Sequence, residues 1–292
     1  MALARGLGGA ASLERLPLDD LKATAIDSWV ETAMFGSVED LQSLLDRGLS
    51  PNAATSIGRI PLLTIAMPDA EKVKLLLDRG AEVNAHSDRG YTPLLVGAQY
   101  HGSDAAIHLL LDRGAKVNAS PGEKVAANGF PIFFAAHVGN AGLIPVLRRA
   151  GGDVEGQTLM FGGADGVRAL DVAVIYDHED TARALLKLGA TVNPTNTTDP
   201  GPLVRAITGN RLEMARLLIA SGADVNRADS AGMTPLMYAA ATNFGDPTII
   251  DLLIKSGARL DARGKDGVTA ADLAGKYNKY NPAIIERFRR SR

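Results

Sequence analysis

The stretch SGADVNRADSAGMTPLMYAA, residues 221–240, decides the fold of this chain. It joins two phrases, each of which recurs along the sequence. The first is found as LLDRGLSPN (44–52), LLDRGAEVN (76–84), LLDRGAKVN (110–118), LRRAGGDVE (147–155), LLKLGATVN (185–193), LIASGADVN (218–226) and LIKSGARLD (253–261). The second follows it as GRIPLLTIA (58–66), GYTPLLVGA (90–98), NGFPIFFAA (128–136), GVRALDVAV (166–174), PGPLVRAIT (200–208), GMTPLMYAA (232–240) and GVTAADLAG (267–275). A fixed period of this length signifies small supersecondary units that bury their apolar faces only by stacking on their neighbours.

Each phrase has a physical reading. Thr92, Thr234 and Thr269 are suited to cap a helix, and the proline after the first two falls at the first helical position, where a missing N–H costs nothing. The leucines of the first phrase, such as Leu75 to Leu77 and Leu217-Leu218, supply the buried face of a second helix. The glycine that follows, Gly222 in the opening stretch, ends that helix in a left-handed conformation that a Cβ would penalise by about 1 kcal/mol.

The pairing of helix–glycine–ADVN with G-x-TPL-x-x-A resembles the ankyrin-repeat family, over about residues 27–275. The resemblance implies an all-α repeat solenoid of stacked helix-turn-helix pairs with β-turn fingers, about seven to eight repeats long. Eight helix pairs are expected. Residues 1–18 read as a loose leader and 19–292 as one array: a terminal repeat at 27–52, internal repeats over 53–267, and a closing cap at 268–292. The family's histidine after TPL is replaced by Leu63, Leu95, Phe133, Asp171, Val204, Met237 and Asp272, so apolar contacts are expected in its place at most levels. Pro145 implies that its helix starts late, near Leu143, because an interior proline costs about 3 kcal/mol.

Function is sought where the repeats differ. From each glycine to the next proline position the interval is 13 residues in five of seven cases, and 17 and 18 in the other two. Two neighbouring fingers, NASPGEKVAANGF (118–130) and EGQTLMFGGADGV (155–167), therefore carry insertions. Insertions in solenoids collect on one face, often the binding face, although long surface loops are also tolerated cheaply. By the resemblance, partners touch the fingers and the end of the first helix, six and seven residues past the proline. The candidate partner-binding set is Tyr100, Glu123, Lys124, Phe130, His137, Met160, Phe161 and Tyr176. Arg47, Arg79 and Arg113, each preceded by Asp, form either a basic ladder or a self-compensating surface row.

The resemblance thus implies a non-catalytic module holding a protein partner of unknown identity on a concave face centred on repeats three to five. Two alternatives stay open. TPLM and LLDRGA phrases are similar to those of bacterial ankyrin arrays, which can be fused to catalytic or haem-bearing regions, so the chain can be a domain of, or a regulatory partner to, a larger bacterial enzyme or redox protein. A midsection pocket of Phe133, Phe134, Met160 and Phe161 would instead take a small molecule.

Composition narrows the classes. With 46% hydrophobic and 22% charged residues the chain is composed like a folded protein, and a net charge of −2 lacks the basic excess of a nucleic-acid binder. There is no cysteine, no phosphate loop, no nucleophile elbow and no H-E-x-x-H, and the five histidines have no metal-pair spacing. No cofactor and no metal are expected, no run is long enough to cross a membrane, and a monomer is expected. The compartment is left open between cytoplasm and bacterial periplasm.

Overall fold

The computed structural model describes residues 27–118, 130–158, 166–196, 198–242, 247–278 and 281–290. The leader at 1–18 lies outside them. The fold is an all-α repeat solenoid, and its sixteen helices among the described residues form eight consecutive pairs. Chain contacts divide it into two compact units, 1–167 and 168–292.

In the first unit the pairs are α1 (Val30–Phe35) with α2 (Val38–Asp46), α3 (Leu62–Ile65) with α4 (Ala70–Asp78), α5 (Pro93–Gly97) with α6 (Asp104–Asp112), and α7 (Pro131–Val138) with α8 (Leu143–Arg149). First helices stack on first helices, α1 on α3 and α3 on α5, while second helices stack on second helices, α2 on α4 and α4 on α6. Two short strands, β1 (Gln157–Thr158) and β2 (Val167–Arg168), pair at the root of the second long finger.

In the second unit the pairs are α9 (Ala169–Ile175) with α10 (Glu179–Lys187), α11 (Gly201–Thr208) with α12 (Leu212–Ala220), α13 (Pro235–Ala241) with α14 (Thr248–Lys255), and α15 (Ala270–Tyr277) with α16 (Pro282–Arg290). The stacking rule is the same, with α9, α11, α13 and α15 forming the inner row and the even-numbered helices the outer row.

Local chemistry accounts for these elements. Thr92, Thr234 and Thr269 each accept a hydrogen bond from the backbone N–H three residues on, as expected of N-caps. Pro93, Pro131 and Pro235 stand at the first helical position, and α8 begins at Leu143, which leaves Pro145 inside the first turn. Gly222 has φ +90° with no atom within 4 Å of where a Cβ would stand, so its role is conformational and not steric. The positions that replace the family histidine are buried apolar side chains at Leu63, Leu95, Phe133, Val204 and Met237. Phe133 and Phe134 are fully buried and pack edge to face at 5.5 Å. They fill the core of their repeat, while Met160 and Phe161, the other two residues of the expected small-molecule pocket, lie outside the described residues.

An asparagine ladder joins neighbouring repeats. Asn52 donates to the Gly80 carbonyl at 3.2 Å and accepts from the Glu82 N–H at 2.7 Å. Asn84 bonds Gly114 and Lys116 in the same way, Asn118 bonds Gly151 and Asp153, Asn193 bonds Gly222 and Asp224, and Asn226 bonds Gly257 and Arg259. The fourth copy of the phrase ends in Glu155, whose carboxylate has no donor for such a carbonyl.

Two of the three arginines of the Asp/Arg row are compensated within it. Arg79 reaches back to Asp46 at 2.9 Å and Arg113 to Asp78 at 2.6 Å, all with side chains at least a third exposed. Such exposed pairs contribute about 0 to 1 kcal/mol each.

Candidate functional site

Fingers and first-helix ends are positioned by backbone pairing. The first finger closes on an Ala54–Pro61 bridge, and the next reaches back to it through the Asp88 N–H and the Gly58 carbonyl at 2.9 Å. In the second unit the finger before α15 closes on an Arg263–Thr269 bridge and donates from Lys265 to Ala231 at 3.0 Å. Each of these two fingers is thereby tied to the one before it.

Four large hydrophobic side chains are exposed among the described residues: Phe35 at 78%, Ile57 at 52%, Tyr176 at 41% and Tyr277 at 37%. Phe35 is the last residue of α1, Tyr176 caps α9, and Tyr277 is the last residue of α15. Ile57 is on the first finger. The outer helices contribute none of them. Tyr176 and Tyr277 share one register, seven residues past Ala169 and Ala270. Sequence inspection named Tyr176 and missed the other three, because exposure of a lone aromatic is not written in a helical period.

The remaining candidates differ in what holds them. Tyr100 is half-buried in the turn after α5, where its carbonyl accepts from the buried Ser103 hydroxyl at 2.9 Å. His137 lies half-buried in the last turn of α7. Phe130 packs its ring over Gly156, so closely that a Cβ there would come within 2.5 Å of it. That makes Phe130 a support for the second long finger more than a free contact. Tyr176 stacks on His178 at 6.3 Å and 16°. Glu123, Lys124, Met160 and Phe161 lie outside the described residues.

A polar network in the second unit has no counterpart in the sequence reading. Asp171 is 1% exposed, and its carboxylate accepts from Arg168 Nε at 2.9 Å and Nη2 at 3.2 Å. Arg168 also donates to the Thr191 carbonyl, and Arg205 lies 3.5 Å from Asp171 while bonding Asp199 at 2.9 Å. Burying a carboxylate is costly unless it is paired and hydrogen-bonded, as this one is. Its only trace in the sequence is an acid at a position where five of the seven copies carry an apolar residue. Nearby, the Tyr238 hydroxyl donates to Asp229 at 2.6 Å; burial first, then that bond, holds its pKa above the ordinary tyrosine value. Asp229 in turn accepts from the N–H groups of Ala231 and Met233, which fixes the finger.

Among the described residues no group of three or more His, Asp or Glu is placed to hold a metal ion, and no helix is long and apolar enough to cross a membrane.

Comparison with known proteins gives one consistent family. A family model described as ankyrin repeats (3 copies) matches residues 30–121, and one described as ankyrin repeats (many copies) matches residues 203–254. Ankyrin repeat domain-containing protein 37 of Mus musculus is 35% identical over 100 residues, 34% of this chain and 62% of that protein. Protein phosphatase 1 regulatory subunit 27 of Homo sapiens is 37% identical over 84 residues, 29% of this chain and 51% of that protein. A transient receptor potential cation channel subfamily A member 1 homolog of Caenorhabditis elegans is 31% identical over 109 residues, 37% of this chain and 9% of that protein. The chain thus spans less than two thirds of each of these relatives.

Proposed function

This chain is an ankyrin-repeat protein, a class that generally mediates protein–protein interaction, and we propose that it is a non-catalytic module gripping a protein partner with its fingers and inner-helix ends. The observation that carries this reading is the distribution of exposed apolar surface. Phe35, Ile57, Tyr176 and Tyr277 all stand on inner-helix ends or a finger, and the outer helices expose no comparable side chain among the described residues. Binding energy at interfaces is concentrated in a few such residues, aromatics above all. In each unit the large hydrophobics exposed among the described residues are confined to these elements, which makes them the surface for a partner to cover.

The insertions that lengthen the fingers at 118–130 and 155–167 support the same reading, since insertions in solenoids collect on one face, often the binding face. Tyr100, Glu123, Lys124, His137, Met160, Phe161 and Tyr176 are the contacts we assign to the partner, with Phe130 steadying the second finger.

Affinity capture from the native host, with three baits of matching circular dichroism, tests the proposal. One bait is the intact chain, one carries both long fingers trimmed to standard length, and one carries Tyr100→Ser with Tyr176→Ser. Partners held by the first and lost from either variant support the assigned face. Partners held equally by all three exclude these contacts.

A further inference from the structure

The largest exposed apolar side chain belongs to the first repeat, away from the elements the sequence singled out. Phe35 ends α1, which is six residues long, so it stands about 7.5 Å along the axis from Val30 at the helix start. At that start Asp27 accepts from the Ser56 N–H at 2.8 Å, which fixes the first finger beside the helix and with it the exposed Ile57. A stretch of surface therefore runs along α1 with an apolar residue toward each end.

On α1 and at the start of α2 the exposed charges are acidic. Glu31 lies four residues before Phe35 and so on the same helix face. It is exposed and makes no hydrogen bond or ion pair among the described residues. Glu39 and Asp40, both exposed, open α2 directly after Phe35 and Gly36. Hydrogen bonds from the backbone and from Ser37 hold both carboxyls below the usual carboxylate range, so they stay ionised. Lys72 is buried and spent on the Ala33 and Met34 carbonyls at the helix end, at 3.1 and 3.5 Å. Arg59 on the finger is the one exposed base in 27–61 besides Arg47.

Resting on the reading above, we propose that the first repeat docks a basic segment of a partner protein, with an apolar side chain set against Phe35 and a flanking Lys or Arg on Glu31. The face of an aromatic ring with carboxylates around it favours a cation as well as an apolar contact. A neutral or acidic segment would bury the same apolar area while bringing Glu31 against an uncharged or like-charged group, which costs affinity and slows association. The complementary charge is what selects this partner class.

A random peptide library displayed on phage and selected on the full chain tests this. Selected peptides are then measured against Phe35→Ser and Glu31→Lys, both exposed changes that leave circular dichroism and the urea midpoint unchanged. The expected result is a class of peptides that places Lys or Arg beside an apolar residue. Each variant weakens that class by about tenfold, and it loses affinity as salt is raised. Phe35-dependent peptides that are acidic or uncharged, or that bind Glu31→Lys as well as the parent, overturn the proposal. So does self-association of the chain that Phe35→Ser abolishes, which would make a second copy the occupant. Peptides that depend on Tyr100 or Tyr176 but not on Phe35 reject this site and leave the broader interaction face standing. Peptides that depend on none of the three reject both.

Discussion

The side-chain amide of Asn84 donates to the carbonyl of Gly114, in the next repeat, at 3.1 Å. Its oxygen accepts from the Lys116 N–H at 2.8 Å, so one asparagine satisfies two backbone groups thirty and more residues away. Those are the carbonyl and N–H left open where the following second helix ends, which is why the contact recurs wherever the phrase ends in asparagine.

Asn84→Ala is expected to cost about 1 to 3 kcal/mol, since both backbone groups lose their partner together. Asn84→Asp keeps the acceptor and sets a carboxylate against the Gly114 carbonyl, and is expected to be no better than alanine. Urea unfolding checks this: midpoints within error of the parent would reduce the ladder to decoration.

Gly222→Val is expected to destabilise by about 1 to 2 kcal/mol through backbone strain alone, because the position has φ +90° and open space around it. Arg216→Ala removes an exposed contact to Glu213 at 3.2 Å and should stay within about 0.5 kcal/mol. Gly222→Asn should fall between them, asparagine being the residue that best tolerates the left-handed region after glycine. Equal midpoints for the valine and alanine variants would disprove the helix-ending role.

Asp171→Ala leaves the Arg168 guanidinium buried without its counter-charge and is expected to cost about 3 to 5 kcal/mol. Arg168→Met combined with Asp171→Leu removes both charges and should recover most of that loss. A double-mutant cycle by thermal or urea unfolding decides it, and additive losses would mean that the two side chains do not act as a pair.

Tyr238 bears on alkaline stability. Its folded pKa is raised, so the folded state holds the proton more tightly than the unfolded state does. The contribution is complete below the unfolded tyrosine value of about 10 and is lost as pH rises above it. Tyr238→Phe should therefore flatten the fall of stability above that pH. Ultraviolet titration of phenolate should show one tyrosine fewer ionising late. An unchanged late phase in the variant would assign it to another tyrosine.

Much of this protein was legible in its sequence. The repeat, the eight helix pairs, the threonine caps, the glycine stops and the late start of α8 before Pro145 all follow from constraints within one repeat, where a few consecutive residues set the backbone. The same is true of the apolar substitutes for the family histidine, which only have to fill space between stacked helices.

What tertiary structure alone decided involves partners about one repeat apart or one residue's exposure. The asparagine of each phrase looks like turn chemistry until the next repeat brings a glycine carbonyl to it. Asp171 reads as a local oddity until Arg168 and Arg205 close around it, and the row of Asp-Arg pairs was ambiguous until Arg79 and Arg113 reached back one repeat. Phe35 and Tyr277 fall in helical periods that fit a buried or an exposed face equally well, and stacking settled which. A repeat sequence dictates what each unit is, because its local interactions are short-ranged. Which surface the units leave uncovered depends on how neighbours pack, and no single unit contains that information.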